Sequence, residues 1–226
     1  MRNTKLSSQN LEIAILQKFQ KLINVSFAFQ MAKIIGKGKI AKKAFIAHKA
    51  AALFRKRGYS NASMRELADS LHIEASSLYN HFASKGEILE HICDSVASGF
   101  MCHIEKVEQS KVSETEKIES IIRYHIKEMI KNYNRQCVAN HDWKYLTGGS
   151  FLNHRAQRNL YETKLIALIT KGIKSKAFVK RNPQVVTLTL LAAVRGLEVW
   201  QPKKGKMNSS TIEKDITQLL LKGLIN

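Results

Sequence analysis

Acidic residues are scarce in this chain. Its 226 residues hold 18 Asp and Glu against 37 Lys and Arg, a formal net charge of +19. That excess favours polyanionic partners, nucleic acid first and an anionic membrane surface second, with a plainly solvated lysine-rich surface as the bland alternative. Proline is scarcer still, at two residues, and glycine numbers 11. With so few helix breakers, long helices have room to form. The chain shows no β-rich alternation, internal repeat or low-complexity tract. Its three cysteines, Cys93, Cys102 and Cys137, are odd in number and lack CxxC spacing. They argue against a disulfide framework and for a reducing cytoplasm. No apolar run approaches the roughly 20 residues of a membrane span. Asn24, Ser26 and Gln30 interrupt the N-terminal region, so a signal peptide is not expected.

Catalytic fingerprints are missing too. There is no GxSxG, phosphate loop or dinucleotide motif, and Gly36-Lys37-Gly38-Lys39 lacks the rest of a phosphate loop. His91, Cys93, Cys102 and His103 invite a metal reading. On one continuous helix, however, positions 93 and 103 do not share the face of 91 and 102, and no i, i+4 ligand pair exists. The expectation is therefore no enzyme activity, no metal and no cofactor.

What is present concentrates in residues 63–92, SMRELADSLHIEASSLYNHFASKGEILEHI. Ser63 is placed to cap a helix, its hydroxyl accepting from a first-turn N–H, with Glu66 at the capping-box position. Met64, Leu67, Ala68 and Leu71 recur at i, i+3, i+4 and i+7, one apolar face of a short helix. The break falls at Leu71-His72-Ile73. A second short helix follows, carrying Ser76, Ser77, Tyr79, Asn80 and His81, groups able to reach phosphates and base edges. Leu78 and Phe82, four apart, supply its buried side. Ser84 then caps a longer helix, with Glu87 at the matching position. Upstream, a helix ends at Gly58, where a C′ glycine belongs. From Lys33 to Arg57 there are nine basic residues and no acid, a run that leads into the place where phosphate contacts are wanted. The layout is a helix-turn-helix, suited to a major groove about 12 Å wide that admits one α-helix.

Four stretches carry a family resemblance: Ala51-Ala52-Leu53-Phe54, Arg57-Gly58-Tyr59, Ser63-Met64-Arg65-Glu66-Leu67-Ala68, and Ser77-Leu78-Tyr79-Asn80-His81-Phe82 with Ser84-Lys85. Over residues 39–92 the chain resembles the TetR family of transcriptional regulators. The resemblance implies an all-α fold, with an N-terminal three-helix DNA-binding domain containing the helix-turn-helix and a C-terminal helical ligand-binding and dimerisation domain. One position departs: the family usually has Gly in the turn where this chain has His72. A non-Gly residue at positive φ is uncommon, so some strain is expected there.

The expected organisation is an extension over residues 1–36, a DNA-binding domain over 37–83 and a ligand-binding and dimerisation domain over 84–226. For the extension two readings stand: a stretch upstream of a natural start at Met31 or a poorly ordered arm, against a helix lined by Leu11, Ile15, Phe19, Leu22 and Ile23 that packs on its own body or a partner. The first domain helix is expected over 39–57, with Ala44, Ala47, His48, Ala51 and Phe54 inward. Further helices are expected at 84–109, after the cap Ser113, at 134–146, at 151–175, from Pro183 to Trp200 and from Ser210 to Leu224.

The DNA-contact set is Ser63, Arg65, Ala75, Ser76, Ser77, Tyr79, Asn80, His81 and Lys85. Tyr79, His81 and Lys85 are expected on phosphates. Ala75, Ser76, Ser77 and Asn80 are expected at base edges, Asn80 being able to pair with adenine. A ligand pocket is expected to draw on Phe100, His103, Arg123, Met129, Tyr133, Trp143 and Tyr161, residues that would serve equally as plain core. The last two helices are apolar on broad faces, from Val185 to Leu197 and from Ile212 to Leu220. A helix apolar on more than one side must bury both, which points to a homodimer. The back half is also similar to regulators of lipid and acyl-CoA catabolism in the same family, in its Arg/His-bearing helix near 123 and the run from Lys171 to Phe178. That similarity implies an apolar or acyl-type effector, acyl-CoA among the candidates. Double-stranded DNA is the expected partner and a repressor the expected role. The alternative is a basic architectural or non-specific nucleic-acid binder without effector.

Overall fold

The computed structural model describes residues 41–200 and 208–225. The expectations for residues 1–36 and for the loop over 201–207 lie outside the described residues. Two compact units divide the chain, Met1–Ile46 and Ala47–Asn226. Of the first, residues 41–46 are described, and they are helical. The second holds all the other described elements.

Residues 41–57 form α1. Its buried positions are Ile46, Ala47, Ala50, Ala51 and Phe54, whereas Ala44 and His48 are exposed, contrary to the sequence expectation. The stripe is rotated because alanines fit either face, and only the larger Ile46 and Phe54 settle the register. The helix stops at Gly58, whose φ of +81° suits a residue without Cβ.

α2 (Met64–Ser70) and α3 (Ala75–Tyr79) pack on each other. Ser63 Oγ accepts the Glu66 N–H at 3.1 Å, as expected of a cap. Glu66 does not complete a reciprocal box: its carboxylate takes the Arg57 Nε–H at 2.8 Å, tying α1 to α2. The turn after α2 is a Schellman closure. The His72 N–H donates to the Asp69 carbonyl and the Ile73 N–H to the Ala68 carbonyl, each at 3.1 Å. His72 sits at the C′ position with φ +54°, so the departure at this residue is a backbone feature.

Long helices make up the rest. α4 (Lys85–Gln109) lies against α6 (Tyr133–His141) and α7 (Gly148–Lys174), and α5 (Glu114–Lys131) packs on α4, α7, α8 (Pro183–Trp200) and α9 (Ser209–Lys222). At 25 and 27 residues, α4 and α7 run roughly 37 and 40 Å at 1.5 Å per residue. Ser113 opens α5 with a complete capping box to Glu116. Asn182 Oδ1 accepts from the Gln184 and Val185 N–H groups, and Pro183 takes the first helical position, where no donor is needed. A 3-10 turn, Asp142–Tyr145, separates α6 from α7. α7 begins three residues earlier than expected and absorbs Gly148 and Gly149, because the first turn of a helix asks little of its N–H groups. α9 closes at Lys222 rather than Leu224, leaving Ile225 to form an isolated antiparallel bridge with Phe178.

The core runs through Ile104, Ile118, Ile122, Ile126, Leu165, Ile169, Leu190 and Val194. The Phe178 ring packs against Gly172: a Cβ there would fall 2.1 Å from the ring, so only glycine admits the contact.

Candidate nucleic-acid interface and ligand cavity

The reading head is built from a small buried base. Leu67, Ala68, Leu78 and Phe82 are buried, and so is Phe54 from α1. Leu78 anchors α3 and leaves Ser76, Ser77, Tyr79 and Asn80 exposed, with Ala75 half-buried. Ser63 and Arg65, at the start of α2, are exposed as well. α3 is shorter than expected. It closes at Tyr79, Asn80 is its C-cap, and His81 lies in the following turn, half-buried with Nδ1 sealed from solvent and unpaired.

Lys85 behaves differently from the rest of the expected set. Its ammonium donates to the carbonyls of Tyr59 at 2.8 Å, Ser60 at 3.1 Å and Ala62 at 2.8 Å, and lies 4.7 Å from the Tyr59 ring centroid. An ammonium has three N–H donors, and all three are engaged inside the protein. The Tyr59 ring meets Phe54 edge-on at 5.2 Å and stacks on Tyr145 at 5.1 Å, which connects the head to the 3-10 turn.

A cavity of about 90 Å³, part of it open to solvent, lies among α4, α5, α6, α7 and α8. Its apolar wall is Val96, Ala97, Phe100, Met129, Leu191 and Val194; its polar groups include His125, His154, Gln157, Arg158, Tyr161 and Arg195. A second, wider space of about 530 Å³ is lined by Arg55, Tyr133, His141, Glu198 and Val199. The two share Asn140, Arg158 and Arg195.

His125 lies face to face with Phe100 at 4.3 Å, and its Nε2 is 2.7 Å from the Tyr161 hydroxyl. Burial, then the charges of Arg195 and His103, push His125 down to about 3, while burial raises the Tyr161 phenol. The ring is therefore neutral near pH 7, and its Nε2 and the Tyr161 hydroxyl share one hydrogen bond. His154 is 3 % exposed and neither ring nitrogen has a partner. Burial and then Arg158 lower its pKa. The Arg158 guanidinium lies 5.1 Å from the Trp143 ring centroid, and Trp143 stacks on Phe151 at 5.6 Å.

Of the expected pocket residues, Phe100, Met129 and Tyr161 line the first cavity and Tyr133 the second. Trp143 lies alongside His154 and Arg158. His103 and Arg123 face elsewhere, in a shallow depression with Ser120, Tyr124 and Lys127. His103 stacks on Tyr124 at 4.0 Å, and Arg123 pairs with Glu119 and with Glu213 of α9. Positions 123 and 125 lie about 200° apart around a helix, so only one of them can point inward. Nothing in the local sequence singles out His154, Arg158 and Arg195: the first two lie in a polar stretch with Asn153, Arg155 and Gln157, and the third lies between Val194 and Gly196 in an aliphatic one. Only the crossing of α7 and α8 brings them together. Among the described residues no group of three or more His, Cys, Asp or Glu is placed to hold a metal ion, and no helix is long and apolar enough to cross a membrane.

The Tyr133 hydroxyl accepts from Arg55 Nη2 at 2.8 Å and donates to the Glu198 carbonyl at 2.9 Å. Helix α1 of the head is thus joined to α6 and α8 beside the cavity.

A helix-turn-helix head on a hollow helical body defines a DNA-binding regulator. The profile of "Bacterial regulatory proteins, tetR family" matches residues 46–92, and that of "Tetracyclin repressor-like, C-terminal domain" matches residues 111–224. The chain belongs to the TetR family of bacterial transcriptional regulators. It is similar to the HTH-type transcriptional repressor KstR2 of Rhodococcus jostii (strain RHA1), 21% identical over 193 residues that cover 83% of this chain and 93% of the relative. The fold is shared with the ketosteroid transcriptional regulator KstR2 of Mycobacterium tuberculosis (TM-score 0.76, 16% identity, 82% of this chain and 95% of that one). It is shared also with AibR, solved in complex with isovaleryl coenzyme A and operator DNA (TM-score 0.70, 20% identity, 79% and 97%).

Proposed function

We propose that this regulator is a repressor that binds a pseudo-palindromic operator as a homodimer and is released by a small apolar or acyl-type effector. The carrying observation is α3, whose Leu78 is fully buried while Ser76, Ser77, Tyr79 and Asn80 project outward. In this reading Ala75, Ser76, Ser77 and Asn80 meet base edges, and Tyr79 and His81 meet phosphates, with Ser63 and Arg65 flanking from α2. Lys85 is reassigned: with its donors engaged, it holds the Tyr59–Ala62 segment in place rather than gripping a phosphate. The functional division is a DNA-binding part over 37–83 and a regulatory part over 84–226. The workplace is the cytoplasm, where a bacterial chromosome lies.

Dimerisation is supported by α8 and α9, whose Val185 (59 % exposed), Leu188 (61 %) and Leu219 (73 %) are left largely uncovered among the described residues. A two-fold dimer would set its two α3 helices about one DNA turn apart, ~34 Å. The effector reading rests on the cavity and is supported by AibR, a neighbour solved with an acyl-CoA and its operator. An effector that favours a dimer with wrongly spaced heads weakens DNA binding, and by linkage DNA weakens effector binding by the same factor.

The test is binding to the DNA upstream of the protein's own gene against a scrambled duplex, at one physiological salt concentration. Preference of about a thousandfold or more is expected of an operator reader. Equal affinity for both, repeated over the genomic fragments of the source organism, would leave the charge-driven architectural alternative standing.

A further inference from the structure

Arg158 and Arg195 line both chambers, yet among the described residues neither forms an ion pair. Arg158 is half-buried. Burial first, then the neighbouring charge of Arg195, disfavours its charged form. Two guanidiniums close enough to oppose each other, one of them partly out of water, form a site whose positive charge Glu162, on the same wall, offsets only in part and without pairing. His154 stands beside them, buried, with both ring nitrogens unpaired, and the Gln157 Oε1 is sealed and unpaired as well. Buried polar groups without partners are uncommon in native proteins and need a reason. The first chamber also has an apolar wall: Val96, Ala97, Phe100, Met129, Leu191 and Val194.

Building on the effector reading above, we propose that the effector is an amphipathic anion, its apolar part in the first chamber and its anionic head held by Arg158 and Arg195 where the two chambers meet. Guanidinium forks bind carboxylate, phosphate or sulfonate oxygens through charge-assisted pairs. The His154 ring supplies a further donor or acceptor to the same head. An uncharged apolar compound fills the wall but leaves these groups unmatched, so it binds more weakly. The anion has two possible sources, a free carboxylate or the phosphates of a carrier thioester, the latter reaching into the second chamber toward Arg55.

The test uses a matched pair of fluorescent probes on the full chain: 8-anilinonaphthalene-1-sulfonate and N-phenyl-1-naphthylamine, which share their rings and differ by the sulfonate. The sulfonate is expected to bind at least about tenfold tighter, the advantage of a charged hydrogen bond. Arg195→Gln, at an exposed position, should remove most of that preference and leave the neutral probe unchanged. Arg158→Gln should do the same if it folds. Ala97→Phe, which fills the apolar chamber, should abolish binding of both. Equal affinity for the two probes, a preference that survives Arg195→Gln, or sulfonate binding that survives Ala97→Phe would each overturn the proposal. Competition by decanoate against decanoyl-coenzyme A then separates the two sources. Failure of the effector reading is visible separately, as operator binding that no compound alters even while the sulfonate preference is measured.

Discussion

At the scale of single residues, the sharpest feature is His72. A left-handed conformation costs an L-residue about 1–2 kcal/mol, and glycine there gives back part of that relief as unfolded-chain entropy. His72→Gly should therefore stabilise the protein by about 0.5–1 kcal/mol. Thermal unfolding checks it, and an unchanged or lowered midpoint would mean that the His72 side chain contributes more than its backbone costs. His125 carries a second prediction. Its folded value of about 3 lies below its ordinary 6.5. Above pH 6.5 the ring is neutral in both states. Below it the unfolded chain binds a proton that the folded chain refuses, so stability falls from pH 6.5 toward pH 3. The slope reaches at most about 1.4 kcal/mol per pH unit for one such group. His154 and His103, also lowered by burial, add in the same direction. His125→Gln should flatten the slope between pH 6.5 and 5, read from denaturant midpoints. An identical slope in the variant would show that His125 does not titrate with unfolding.

At the scale of elements, local chemistry accounts for most boundaries. Ser63, Ser84, Ser113 and Gly58 all act where their side chains or lack of one predict. What escaped the sequence were reciprocal details: Glu66 pairs with Arg57, a residue on another helix, and no local spacing announces such a contact. The link from head to body has the same character. Arg55, Tyr133 and Glu198 belong to three helices, and the Tyr133 hydroxyl joins them. Tyr133→Phe removes one acceptor and one donor, worth about 1 kcal/mol in this half-exposed setting. Faster amide hydrogen exchange over residues 47–57 is expected with it. If α1 exchanges as slowly as in the unaltered chain, the latch does not hold the head.

At the scale of the whole molecule, the proposed dimer rests on the exposed apolar faces of α8 and α9. Leu188→Glu combined with Leu219→Glu should turn a dimer into a monomer in sedimentation. Operator affinity should fall by about two orders of magnitude as two-headed binding is lost. A double variant that stays dimeric would place the interface elsewhere. The sequence by itself determined the helical class, the helix-turn-helix with its caps and turn, and the apolar faces, because these follow from spacing along one helix and from chemistry within a few residues. Only the tertiary structure decided which aromatics line the cavity, that Lys85 is an internal brace, and that Arg158, Arg195 and His154 converge. Those facts depend on the rotation of each helix about its axis and on which helices cross, and long-range packing sets both.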